Sequence, residues 1–299
     1  ALLMTPDYEL ANVALKCGLT VSELQTFYRW FGENEKAVTL FCQGINQSNQ
    51  GTDKGNALIN THLLTGRVGK PGASPFSMTG QPNAMGGREV GGLANMLASH
   101  LELENPQHRQ LVQDFWGSPH IASQAGLKAV DLFQAVESGQ IKALWIMATN
   151  PVVSLPDADQ VKRALERCEF VVVSDICLDT DTTQYADVLL PALGWGEKDG
   201  TVTNSERRIS RQRAFLDAPA GAKADWWAVC QVAKKLGFSG FDFAGSHEIF
   251  LEHARLSACR NAELAKCEET PYFRCFNLQG LTDLSLQEYN AFKPAQWPV

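Results

Sequence analysis

Apolar positions along this chain alternate between two patterns: stripes at helical spacing and short continuous runs. In "LTVSELQTFYRWFGE", Leu24, Phe27, Tyr28 and Phe31 make a stripe at helical spacing, with Thr20 or Ser22 placed to cap it. "AVTLFCQG" is a short apolar run closed by glycine, the pattern of a buried strand. "KGNALINTHLLTG" returns to helical spacing and stops at Gly66. A long stretch without a period follows, "VGKPGASPFSMTGQPNAMGG", after which "LANMLASHL" reads as helical and "HRQLVQDFWGSPHI" as a short helix and loop. From Ala129 the alternation is regular. Val130, Phe133 and Val136 form one helical face ended by Gly139, and "IKALWIMA" is a strand. "DADQVKRALERC" is a helix with Asp157 as its cap, and "EFVVVSD" and "YADVLLPA" are strands. "ADWWAVCQVAKKLG" is a helix stopped by Gly237, and Ser239 to Val299 is mixed.

Strand–helix–strand units whose strands are apolar on both faces predict a parallel sheet covered by helices. The expected fold class is therefore α/β: Rossmann-like, mostly parallel sheet layers flanked by helices. Residues 1–75 read as the helix–strand–helix end of one α/β domain, and 76–299 as a second α/β domain. The chain begins with Ala1, which reads as a cut inside a longer protein. A net charge of −7 and a pI near 5.4 argue against nucleic acid or an anionic membrane as partner. No apolar run reaches the roughly 18 residues of a membrane span. Eight cysteines are scattered singly, none as C-x-x-C, and several lie in apolar runs. Free thiols in a reducing compartment are expected, with no metal ligated inside the chain. Cys259, Cys267 and Cys275 are evenly spaced but match no common metal site.

In parallel sheets, ligands sit beyond the carboxyl ends of the strands. Polar clusters gather there. "TLFC" runs into Gln43-Gly44-Ile45-Asn46-Gln47, "LWIM" into Thr149-Asn150-Pro151, and "FVVV" into Ser174-Asp175. "DVLLP" is followed by the segment Trp195 to Thr201, which holds Lys198. Each has an ordinary structural reading: a turn opening a helix, a cap, a solvated charge, or for Asp225 a helix N-terminal acid. Together they predict one polar ligand lying across the sheet. No phosphate loop of the G-x-x-x-x-G-K-[ST] type occurs, and no G-x-G-x-x-G follows a strand. Asp175 and Asp225 suit the N–H edge of guanine or ribose hydroxyls, Asn and Gln suit a pterin, and Lys198 suits a phosphate. "TGQPNAMGGREVGG", Thr79 to Gly92, is glycine-dense around one arginine, the mark of a linker or of backbone that approaches something closely.

That segment, with "GINQSNQGTDKGNALINTHLLTGRVGKPGASPFSM", "TNPVVSLP", "VVVSDICLDTDTTQYADVLLPALGWGEKDGTVTNSERRISRQR" and "KADWW", resembles the prokaryotic molybdopterin oxidoreductases. Within them the likeness is greatest to the assimilatory nitrate-reducing branch. It runs from about Thr20 to the final "AQWPV" and implies the middle domains of that fold, with residues 76–299 as a dinucleotide-binding domain. The resemblance implies a molybdenum held by two molybdopterin guanine dinucleotides (Mo-bis-MGD) and a 4Fe-4S cluster. The cluster cysteines and the metal ligand are expected before residue 1, and a closing β-barrel after residue 299. Carried over by position, Gln43, Gln47, Asn150, Ser174, Asp175, Lys198 and Asp225 would bind the dinucleotide. Gly80 and Gln81 would approach the metal end, and Arg88 would be the catalytic-site arginine facing nitrate. The implied reaction is reduction of nitrate to nitrite in the cytoplasm. Its electrons would come from ferredoxin, flavodoxin or an NAD(P)H-linked subunit, and the isolated piece is expected to be inactive. The alternatives are a formate dehydrogenase or other oxo-transferase of the same fold, a non-catalytic scaffold subunit, and a free guanine-nucleotide-binding domain.

Overall fold

A computed structural model describes residues 4–264 and 276–299, so Cys267 and Cys275, and with them the spacing argument for a metal site, lie outside the described residues. The chain divides into two compact units, Ala1–Gln81 and Pro82–Val299.

In the first unit α1 spans Leu10–Cys17, α2 Val21–Glu33, β1 Val38–Phe41, α3 Gln43–Asn46, α4 Gly51–Leu64 and β2 Ser74–Ser77. Thr20 caps α2 in a reciprocal box with Glu23: the Glu23 amide donates to Thr20 Oγ1 at 3.3 Å, and the Thr20 amide donates to Glu23 Oε2 at 2.8 Å. The α2 stripe is only partly inside, because Leu24 is buried while Phe27 and Tyr28 are exposed. β1 pairs with β2 in parallel, Val38 opposite Ser74 and Phe41 opposite Ser77. β2 hides inside the aperiodic stretch because it is four residues long and carries Pro75, which only an edge strand tolerates. The expected burial of β1 is corrected: Val38 is 50 % and Leu40 61 % exposed, since the sheet has two strands only. His62 of α4 is fully buried, its Nε2 sharing a hydrogen bond with Thr39 Oγ1 at 2.8 Å and its ring edge-on to Phe31. Arg67 closes the far side by donating to the carbonyls of Phe31 and Asn34, with its guanidinium 4.4 Å above the Phe31 ring.

The second unit opens with α5 Ala84–Glu89, α6 Pro106–Trp116, α7 Ala129–Glu137, β3 Ala143–Met147, α8 Pro151–Ser154, α9 Ala158–Arg167, β4 Phe170–Asp175 and β5 Val188–Pro191. β3, β4 and β5 form an all-parallel sheet in that order. Phe133 and Val136 of α7 and Val161, Ala164 and Leu165 of α9 pack with Ile146, Val171 and Val173 into its core. Val130, assigned to the same face of α7, stays exposed. Asp157 caps α9 by accepting from the Gln160 amide at 3.0 Å. The rest comprises β6 Gly200–Thr203, β7 Arg208–Gln212, α10 Asp225–Lys235, α11 Ser246–Leu264, α12 Leu286–Ala291 and β8 Ala295–Gln296. β6, β7 and β8 make an antiparallel sheet over a second core of Ile209, Phe250, Phe276, Tyr289 and Trp297. This sheet has no counterpart in the sequence reading.

"LANMLASHL" is not a helix. Ser99 and His100 take left-handed φ values of 58° and 57°, and the Leu97 amide bonds back to the Leu101 carbonyl at 3.0 Å. The resulting turn buries Leu97, Ala98 and Leu101.

Candidate functional site

In the first unit β1 delivers its carboxyl end to α3. Gln43 opens that short helix, and its Nε2 donates to Gln81 Oε1 at 3.2 Å. Beside them the Asn46 amide group donates to Ser77 Oγ at 3.0 Å. The parallel pairing of β1 and β2 explains why residues so far apart in sequence meet: both chains emerge from the same end of the ladder. Gln47 follows as the C-cap of α3 and is exposed, and Gly80 is exposed with nothing within 4 Å of the place a Cβ would take.

In the second unit the polar residues collect beyond β3, β4 and β5. β3 ends at Met147, and Ala148 turns the chain with a φ of 55°, costly for a residue with a Cβ. Asn150 then opens α8, and its Oδ1 accepts the Thr182 hydroxyl at 2.6 Å. Ser174 is buried on β4 and accepts the Trp145 indole N–H at 2.9 Å. Asp175 spends one oxygen on the Cys177 amide at 3.0 Å, the ordinary turn-forming use. A bridge between Ala192 and Lys223 carries the chain alongside the end of β5 before α10 begins at Asp225. The Leu193 amide to the Lys223 carbonyl (3.2 Å) and the Lys223 amide to the Pro191 carbonyl (3.0 Å) fix this path.

Through it, Ser174 and Asp225 line one pocket of about 100 Å³, with Pro191, Gly221, Lys223 and Trp227. Lys198 lines a second pocket of about 320 Å³ with Glu197, Asp199, Trp226, Ser246 and His247. Lys223, Asp225 and Trp227 line the first pocket and Ala224 and Trp226 the second, so the extended Ala224 and the first turn of α10 separate them. Asp199 is held by Arg211 Nη2 at 2.7 and 3.0 Å and by the Ser246 hydroxyl at 2.9 Å. Burial pushes the Tyr289 hydroxyl above its ordinary pKa. Asn150 and Asp175 line neither pocket. Lys223 and Trp227, whose ring lies 5.6 Å from Lys223 Nζ, went unassigned in the sequence, although "KADWW" held them.

"TGQPNAMGGREVGG" is turn and irregular backbone at both ends, and its middle six residues form α5. Three of its glycines, Gly86, Gly91 and Gly92, answer to the protein's own packing. A Cβ on Gly86 would lie 2.0 Å from Asn83 Oδ1. One on Gly91, at φ 75°, would lie 2.6 Å from the Ala98 amide nitrogen. Arg88 is exposed and donates from Nη1 to the Ala84 carbonyl of its own helix at 2.9 Å. Its neighbour Glu89, given no role above, is 2 % exposed and accepts the Thr203 hydroxyl at 2.9 Å and the Trp297 indole N–H at 2.7 Å. A lone carboxylate amid glycines and apolar residues was the available signal for such an anchor.

A sequence profile of the family described as molybdopterin oxidoreductase matches residues 7–235. The chain belongs to the molybdopterin oxidoreductase family. A nitrate reductase of Klebsiella oxytoca is 52% identical over 100% of this chain and 34% of its own length. One from Shewanella frigidimarina is 53% identical over 97% of the chain and 30% of its own length. An F420-dependent formate dehydrogenase subunit alpha of Methanocaldococcus jannaschii is 35% identical over 83% of the chain and 36% of its own length. This chain thus spans about a third of the length of these relatives.

Membership implies a molybdopterin cofactor, and the chemistry of the donor set can be tested against that group. Ser174, Asp225 and Lys223 offer an acceptor–donor set of the kind a heterocycle edge requires. The pocket they line is far below the roughly 300–1,000 Å³ of a full ligand site, so it suits one end of an elongated molecule. Lys198 in the adjoining pocket adds a cation with the reach of a phosphate contact. The residues fit the group. Among the described residues no set of three His, Cys, Asp or Glu gathers as metal ligands.

Proposed function

We propose that this chain belongs to a molybdenum-dependent nitrate reductase and supplies walls of its cofactor and substrate sites. The observation that carries this reading is 52–53% identity, over essentially the whole chain, to relatives named nitrate reductase. The molybdenum cofactor supplies the redox chemistry when bound; protein groups supply orientation and charge. Asp225 and Ser174 hold the polar edge of the guanine end in the bis-guanine-dinucleotide form, and Lys198 meets a phosphate. Within the first unit Gln43 and Gln81, already bonded to each other, offer amide groups suited to a pterin, with Gln47 and the open backbone at Gly80 nearby in sequence. Asn150 and Asp175 complete the polar rim beyond β3 and β4.

Arg88 receives the anion. Its planar fork of donors matches the flat, trigonal oxygens of nitrate better than a point charge would. The overall reduction takes nitrate, two electrons and two protons to nitrite and water. An electron carrier of the ferredoxin, flavodoxin or pyridine-nucleotide class supplies the electrons, and a 4Fe-4S cluster relays them. The assimilatory role rests on the sequence resemblance, and a cytoplasmic location accords with the free cysteines among the described residues.

In the cofactor-loaded full-length chain, Arg88→Ala is expected to raise the KM for nitrate about tenfold or more while molybdenum content stays normal. An unchanged KM would remove Arg88 from the substrate site. A second reading, formate oxidation, draws on the 35% identity to a formate dehydrogenase subunit, and formate is also a planar oxyanion. Assaying nitrate reduction and formate oxidation side by side separates the two; turnover of formate alone would overturn the nitrate reading.

A further inference from the structure

α5 has six residues, too few to hold itself together, so its orientation about its own axis is imposed from outside. The imposing contacts converge on one residue of β6. At the start of α5, Asn83 Oδ1 accepts the Thr203 amide at 2.9 Å, and at its end Glu89 Oε2 accepts the Thr203 hydroxyl, also at 2.9 Å. Gly86 lets the Asn83 side chain fold under the helix. Glu89 Oε1 then takes the Trp297 indole N–H at 2.7 Å, and His253 Nε2 of α11 stands 3.7 Å from Oε2. A carboxylate this buried is costly unless its oxygens are occupied, and here both are. Arg88 precedes Glu89 directly, so the two side chains leave the helix about 100° apart. Pinning Glu89 inward therefore fixes the direction in which Arg88 points outward.

We infer that Glu89 is a positioning residue: held by Thr203 and Trp297, it locks the rotation of α5 and so aims the Arg88 guanidinium at the anion. This rests on the reading that Arg88 faces nitrate.

The test uses the cofactor-loaded full-length chain with rates expressed per bound molybdenum. Glu89→Gln keeps the volume but turns one acceptor into an amide N–H that faces a donor. The expected result is a KM for nitrate raised about tenfold, with kcat within about twofold. Thr203→Val removes one hydroxyl and leaves the amide bond to Asn83, so it is the variant to read if Glu89→Gln folds poorly; a smaller KM rise is expected. In the double variant Arg88→Gln/Glu89→Gln, the second change is expected to add little to the first. If Glu89→Gln and Thr203→Val lower only the yield of folded protein, or kcat, at wild-type KM, Glu89 is a structural anchor and the inference is overturned. If Arg88→Gln itself leaves KM unchanged, the nitrate-site reading fails first, a result distinct from failure of Glu89 alone. Hydrogen exchange across residues 84–91 supplies a readout free of activity: faster exchange in Glu89→Gln is expected, and unaltered protection contradicts the lock.

Discussion

Glu252 of α11 accepts the Trp116 indole N–H at 3.2 Å from a half-buried position, and burial outweighs that bond in pushing its carboxyl above the usual range. A carboxyl raised in the folded state keeps its proton where the unfolded chain has lost it, so stability falls as pH rises from about 4 through the folded value. Glu252→Gln keeps an acceptor for Trp116 and carries no charge, so it is expected to raise the thermal midpoint near neutrality and to change little near pH 4. A lower midpoint at neutral pH would contradict the burial argument. His62 has the opposite sense. Burial first, and the Arg67 charge second, hold its pKa below the ordinary value. Its contribution is present above about pH 6.5 and is lost as pH falls towards the folded value. Acid-induced opening of the segment around α4, followed by hydrogen exchange, is expected to begin earlier in the wild type than in His62→Gln.

At the scale of elements, the cap of α9 is legible in sequence and testable in isolation. Asp157→Ala removes the bond to the Gln160 amide and is expected to cost about 1 kcal/mol in denaturant unfolding, with unchanged slope. A loss near zero would mean that the α7–α9 packing alone fixes the helix start. The regular block from Ala129 to Pro191 was readable because each apolar period has one solution: Phe133 and Val136 on one helix, Val161 and Leu165 on the other, Val171 and Val173 between them. Outside it α2, β1, α4 and α10 were also readable, but other elements were not, for physical reasons. β2 is too short to show a period and carries a proline. β6 and β7 are polar strands whose meaning depends on β8, more than eighty residues later. At Ser99 and His100 the chain turns through left-handed φ values, and Leu97, Ala98 and Leu101 would share one face of a helix as well, so their spacing could not reveal the turn.

For the molecule as a whole, the candidate site divides the same way. Ser174 and Asp225 were named from strand ends and a helix start, and the structure brings them into one pocket. Gln43 and Gln81 meet across β1 and β2. Lys198 lines the adjoining pocket, while Asn150 and Asp175 line neither. Lys223 was invisible as a site residue, since its position depends on a single bridge to Ala192. Glu89 was invisible because burial of a carboxylate is a tertiary fact. The account's central claim is that the polar ends gathered in the second unit, Ser174 and Asp225 with Lys198, hold a molybdopterin guanine dinucleotide. The most direct measurement is guanine nucleotide released per molybdenum on acid denaturation of the full-length chain, compared between wild type and Asp225→Ala. The account predicts guanine nucleotide released together with molybdenum in the wild type, and a clear fall in both in the variant. Full occupancy in Asp225→Ala, or molybdenum without guanine nucleotide in the wild type, would contradict it.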